Sequence, residues 1–278
     1  MRGCSAILAA ALLCLAATVS RADFLPSPPG QVLDLQTRPG VTVRYAAFKP
    51  DATPRAVVIL LVGGQGLLRI PNQPGPNWQN PGNFLSRSRE NFRRRGLFVA
   101  VVDAPSDQPR GMISNFRSSK DHATDIAAVI ADLRTRVPGK PVWVVGTSRG
   151  TVSAANAASR LQGAAGPDGV VLTSSITRAA EGVNAPSRDS VFDTDLPAVR
   201  IPMLVISHRA DTCYVTPPSD GQRILSKLAN APRKELILVE GGDPPRGDPC
   251  EAYAAHGYVG MEDQVVNLIA DWILAPKN

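Results

Sequence analysis

Histidine and cysteine are scarce in this chain, three and four residues among 278. No H-E-x-x-H stretch and no clustered Cys/His ligand spacing occurs, which leaves metal hydrolysis without a sequence basis. No apolar stretch approaches the roughly 20 residues that a membrane-spanning helix needs. The longest, Ala6 to Val19, is about 14 residues. A dinucleotide fingerprint is also missing. Gly64 and Gly66 follow a strand-like run, but Arg69 stands where the third glycine belongs and Pro71 discourages an immediate helix. Basic charge is in mild excess, +6 overall. Its densest run, Arg93-Arg94-Arg95 with Arg87 and Arg89 upstream, lacks interleaved aromatics for stacking on bases. It reads as a solvated helix face, so no nucleic-acid partner is expected.

The N-terminus has Arg2, the short apolar run, and then Ser20-Arg21-Ala22 with small residues at the −3 and −1 positions. This is the pattern of a secretory signal cleaved after Ala22. A lipidation site at Cys14 is disfavoured by the bulky Leu13 before it. Residues 1–22 are therefore expected to be a signal peptide and 23–278 a single exported domain, without stable membrane insertion after cleavage. Removing the leader leaves 28 basic against 24 acidic residues and only Cys213 and Cys250. Two cysteines in an oxidising compartment suggest one disulfide, with buried free thiols as the alternative.

Beyond the Pro-rich segment 23–30, Val32 to Phe48 reads as two strands turning at Arg38-Pro39-Gly40. Uninterrupted apolar runs follow at 56–62, 97–102, 142–145, 170–172, 203–206 and 235–239. Unbroken rather than alternating runs are expected of parallel strands covered on both faces. Helical patterns separate them, near 83–95, 120–137, 149–161, 219–230 and 258–274. Such alternation predicts an α/β fold with a mostly parallel central sheet and helices on both faces. The connection from Ser175 to Ile201 leaves room for a small cap or none. The Pro- and Asn-rich segment 71–82 is expected to form one wall of a ligand cleft at the carboxyl edge of the sheet.

The strand at 142–145 runs into Gly146-Thr147-Ser148-Arg149-Gly150 and then an Ala-rich helix. That is G-x-S-x-G in its strand-turn-helix setting, where a strained turn exposes a serine and flanking glycines let strand and helix approach. A serine hydroxyl needs a base within reach and a carboxylate to orient that base, in the chain order serine, acid, histidine. Of the two histidines that follow Ser148, His256 lies in a loop between the last strand and the last helix, while His208 ends a strand. His122 precedes the nucleophile and is expected at a surface or helix cap. Asp211, just after the 203–206 run, is the expected acid. Asp243 and Asp248 are rivals on the histidine's own loop, but their proline neighbours suit turn formation. Asp103 is expected to support a turn. Backbone N–H groups of Arg149 and of the Gly63-Gly64-Gln65-Gly66 loop, Gln65 rather than Gly64, would stabilise an oxyanion.

From about Val32 to Leu274 the chain resembles the α/β-hydrolase superfamily, the pentapeptide at 146–150 matching the nucleophile elbow and Asp211 and His256 the places of acid and base. The oxyanion loop departs from the His-Gly of many esterases. The resemblance implies a serine hydrolase that acts on a small-molecule ester or related acyl bond without a cofactor. Thioesterase, lactonase and peptidase activity, or a non-catalytic binding role on the same fold, stay open. The Arg149 side chain is expected either in a salt bridge or solvent contact, or on an acidic substrate group. If Asp211 and His256 meet, their loops carry Cys213 and Cys250 into disulfide range.

Overall fold

The computed structural model describes residues 30–72, 78–113, 115–180 and 188–275. The expected signal peptide, the Pro-rich segment up to residue 29 and part of the 71–82 wall lie outside them. Eight strands form one sheet: β1 Gln31–Arg38, β2 Val41–Phe48, β3 Ala56–Leu61, β4 Leu97–Val102, β5 Val142–Thr147, β6 Gly169–Thr173, β7 Met203–His208 and β8 Lys234–Val239. Their order is β1-β2-β4-β3-β5-β6-β7-β8. β1 and β2 pair antiparallel with each other, and β2 pairs antiparallel with β4. Every pairing from β4 through β8 is parallel.

The apolar runs explain this arrangement. All six residues of β3 are buried, as are all six of β5 and of β7. Such strands survive only with helices on both faces. On one face, α1 Phe84–Arg87, α2 Arg89–Arg94 and α6 Glu262–Leu274 supply Phe84, Phe92, Val265 and Ile269 to a core with Val58 and Leu60. On the other, α3 Lys120–Arg136, α4 Gly150–Arg160 and α5 Gly221–Lys227 bring Ile130, Ala155 and Ile224 against Val57 and Ile59. The chain leaves β3 towards β4 on one side and reaches β5 on the other. A crevice opens at this kind of switch point, beyond the strands' carboxyl ends. The 174–202 connection, in its described parts, contains two single helical turns, Val191–Asp193 and Leu196–Ala198. Among the described residues no helix is long and apolar enough to cross a membrane.

Several expectations shift locally. The helix expected over 83–95 is interrupted at Ser88. The last helix begins at Glu262 rather than Tyr258, because Tyr258 and Gly260 take left-handed backbone angles of +57° and +73°. The arginine run is not simply solvated. Arg93 is 7% exposed and bonds Asp51 and Glu90, while Arg87 pairs with Glu262. Arg89 lies over the rings of Trp78 and Phe48. Long arginine stems cover apolar surface while their heads find carboxylates or aromatic faces, and polarity alone does not reveal that.

Candidate active site

Ser148 directly follows β5 in a left-handed conformation, φ +51°. A Cβ on Gly146 would lie 2.4 Å from Gly150 O, and one on Gly150 only 2.0 Å from Leu61 O. No other residue fits those two positions without backbone movement. Thr173 O accepts the Ser148 N–H at 3.0 Å, and the Thr151 hydroxyl donates to Ser148 O at 2.6 Å. The strained turn is thus bonded on both sides, as a held rather than relaxed conformation requires. Ser148 is partly exposed, on a cleft of ≈ 450 Å³ that His256 also lines.

Asp211 follows β7 and is buried. Its Oδ1 accepts Cys213 N–H at 2.9 Å, and its Oδ2 lies 3.1 Å from His256 Nδ1. Thr216 joins them: its hydroxyl donates to Asp211 Oδ2 at 2.9 Å and lies 3.0 Å from His256 Nδ1. The sequence offered no spacing rule that singles out Thr216. His256 sits in the turn Ala255–Gly257 between β8 and α6. Ser174 Oγ holds its carbonyl at 2.7 Å, and Arg87 Nη2 holds the Gly257 carbonyl at 2.5 Å. Tyr258, whose phenol is pushed above its ordinary pKa by burial, accepts from Ser174 N–H and donates to Ile206 O. These bonds leave the imidazole facing the cleft. No hydrogen bond joins it to the Ser148 hydroxyl in this state.

The rivals are elsewhere engaged. Asp248 borders the cleft, where its Oδ1 accepts Cys250 N–H in a turn. Asp243 is exposed, with its main chain bonded to Val259. His208 bonds Gly241 O and Ala210 N–H and packs on Tyr258. His122, expected near the surface, is 3% exposed with Nε2 on the Ser153 hydroxyl. Burial, then the charge of Arg117, pushes it down to about 3. Its place on the inner face of α3 explains the difference, since Ser119 and not His122 supplies the helix cap.

The loop after β3 is anchored by Asp103, whose carboxylate accepts Leu68, Ile70 and Ala104 N–H at 2.8 to 3.0 Å. Gly64 lines the cleft, whereas the carbonyl of Gln65 accepts Met112 N–H at 2.8 Å and its Cβ sits close to Gly111. The Arg149 side chain is half-buried on the cleft, and its hydrogen bonds go to carbonyl oxygens. It donates to Gly64 O at 3.2 Å and to Met112 O at 2.9 Å. Cys213 and Cys250 are joined as a disulfide, Cα atoms 4.6 Å apart. Asp211, Cys213 and His256 bring potential metal-ligating atoms within 4.8 Å of one another, but the sulfur is committed to the disulfide.

No family model matches the chain, and no curated protein matches it either. Solved structures do. Thermogutta terrifontis esterase 2 aligns with TM-score 0.59 at 17% identity, over 91% of this chain and 98% of its own. An α/β serine hydrolase without lid from Xanthomonas campestris aligns with TM-score 0.57 at 16% identity, over 89% and 97%. A Pyrococcus horikoshii acylaminoacyl peptidase gives 0.61 at 12% identity, over 90% of this chain but 41% of its own. The chain has the α/β-hydrolase fold.

Proposed function

We propose that the protein is an exported serine hydrolase of carboxylic esters, with Ser148 as nucleophile, His256 as base and Asp211 as the acid that orients it. The observation that carries this reading is a serine at a strained elbow sharing one cleft with a histidine whose Nδ1 is bonded to a buried carboxylate. In the reaction, Ser148 Oγ attacks the ester carbonyl while His256 Nε2 takes its proton. The Arg149 N–H and an N–H of the Gly64–Gln65 turn, Gly64 being the one on the cleft, meet the developing oxyanion. The alcohol leaves with the proton from Nε2, and water repeats the sequence on the acyl-enzyme. The missing Ser148–His256 bond is compatible with this, since such bonds often tighten only in the substrate complex.

Ester cleavage is the reading supported by the esterase neighbour, which aligns along nearly all of its own length, while the peptidase neighbour keeps amide cleavage as the second reading. Export rests on the signal at 1–22 and on the Cys213–Cys250 pair. A fluorophosphonate probe should label the wild type and not Ser148→Ala, and turnover of p-nitrophenyl esters should disappear with the label. An unlabelled, inactive wild type would favour a binding role on the same fold.

A further inference from the structure

The carbonyl oxygen of Gly64 accepts from two guanidinium groups at once, Arg117 Nη2 and Arg149 Nη1, each at 3.2 Å. Arg117 lies in the turn Phe116–Ser118 with no solvent exposure. It also donates to Val62 O at 3.0 Å and to the Ser153 hydroxyl at 2.8 Å, so it grips the end of β3, the loop beyond it and helix α4 together. Arg149 bridges from Gly64 O to Met112 O, and the Met112 N–H returns to Gln65 O at 2.8 Å. The turn itself is closed by Gly66 N–H on Gly63 O at 3.1 Å.

Such an arrangement is costly. Burial, followed by the nearby charge of Arg149, pushes Arg117 down to about 9, which still leaves it cationic at neutral pH. Burial lowers Arg149 as well, with Asp189 offsetting part of the charge on both. Two like charges converge on one oxygen, and what they gain is a fixed peptide. Gly64, at φ +56°, has no side chain to restrict its own torsions. The bonds to its carbonyl must do so.

We propose that Arg117 and Arg149 are positioning residues that fix the Gly64–Gln65 peptide and thereby aim the oxyanion-binding N–H of the loop after β3. The proposal rests on the hydrolase reading above. Because the peptide is planar and trans, holding the Gly64 carbonyl also sets the Gln65 N–H that points away from it. Held between that carbonyl and the Gly63–Gly66 turn, Gly64 keeps its own N–H fixed as well. Whichever of the two N–H groups meets the oxyanion, the same clamp sets its direction. The residue following the nucleophile thus serves twice, giving its own N–H to the oxyanion and its side chain to the opposite wall.

Arg149→Ala keeps the backbone N–H and removes only the clamp. Its kcat for p-nitrophenyl acetate should fall about 10- to 100-fold, less than outright loss of an oxyanion donor, with KM within about threefold of wild type. Affinity for phenylboronic acid should fall in step with kcat. There the boron accepts the Ser148 Oγ electron pair, His256 takes the proton, and a tetrahedral anion occupies the same hole. Methylguanidinium added to Arg149→Ala should restore part of kcat, and Arg149→Lys should fall between the two. If Arg149→Ala does not fold, Arg149→Lys gives the same kcat and boronate comparison, and Arg117→Lys is the independent test from the buried side. A raised KM with unchanged kcat and boronate affinity would make Arg149 a substrate-binding residue and overturn the proposal. A wild type with no turnover overturns the hydrolase reading and the proposal with it. An active wild type with unaffected variants overturns the proposal alone.

Discussion

His122 is buried on the inner face of α3 as a neutral imidazole, and its folded-state proton affinity lies far below that of the unfolded chain. Between pH 6.5 and about 3 the unfolded state binds a proton that the native state refuses. Stability from this residue is therefore complete above 6.5 and drains away as the pH falls, by about 1.4 kcal/mol for each pH unit crossed. His122→Gln, which keeps a hydrogen-bond partner for Ser153, should flatten the decline of the urea midpoint between pH 6.5 and 4.5. A variant that declines as steeply as wild type would place the acid sensitivity elsewhere. At the proposed acid, Asp211→Asn should cost about 10³-fold or more in kcat, while Asp243→Asn should stay near wild type. Thr216→Val should cost about tenfold in kcat/KM, because the imidazole and carboxylate lose the hydroxyl that fixes both. Equal activity of Thr216→Val and wild type would make that hydroxyl incidental. That Ser148, Asp211 and His256 gather at one edge of the sheet was legible because chain order and strand ends constrain them. Thr216, His122 and the second use of Arg149 were not, since a hydroxyl, a buried ring and a carbonyl-bound guanidinium leave no periodic trace.

At the level of elements, the loops after β7 and β8 meet through Asp211 and His256 and again through Cys213 and Cys250. The two cysteines are separated by 37 residues. Closing such a loop restricts the unfolded chain by about 4 kcal/mol in the entropy model. Cys213→Ser with Cys250→Ser should lower the melting temperature by about 10 °C. It should also reduce kcat, because the carboxylate and imidazole then rely on their shared hydrogen bonds alone. Unchanged melting in the serine pair would mean that the bond contributes little. The strands were readable from their unbroken apolar runs, which packing on two faces demands. The start of α6 was not: the helical pattern continues back through Tyr258, but a left-handed turn there takes the backbone out of register.

For the whole molecule, strand-helix alternation carried the architecture, and the solved structures agree with it over about nine tenths of the chain. Sequence could not say how the edge is furnished, because the groups that hold the cleft arrive from loops between 62 and 258 and bond mostly to main-chain atoms. If residues 1–22 are a leader, the exported protein should begin at Asp23 on N-terminal sequencing and contain no free thiol. A chain retaining Met1 in the exported fraction would refute that cleavage. The same placement has a consequence in time. Chains made from the N-terminus fold their early units first. Here the serine elbow and the loop after β3 can assemble while β8, the His256 turn and α6 are still being made. If Ser148 is the nucleophile, a nascent chain would carry a shaped elbow without its base until the last sixth of its length docks along β7, and the second cysteine arrives in that same late segment.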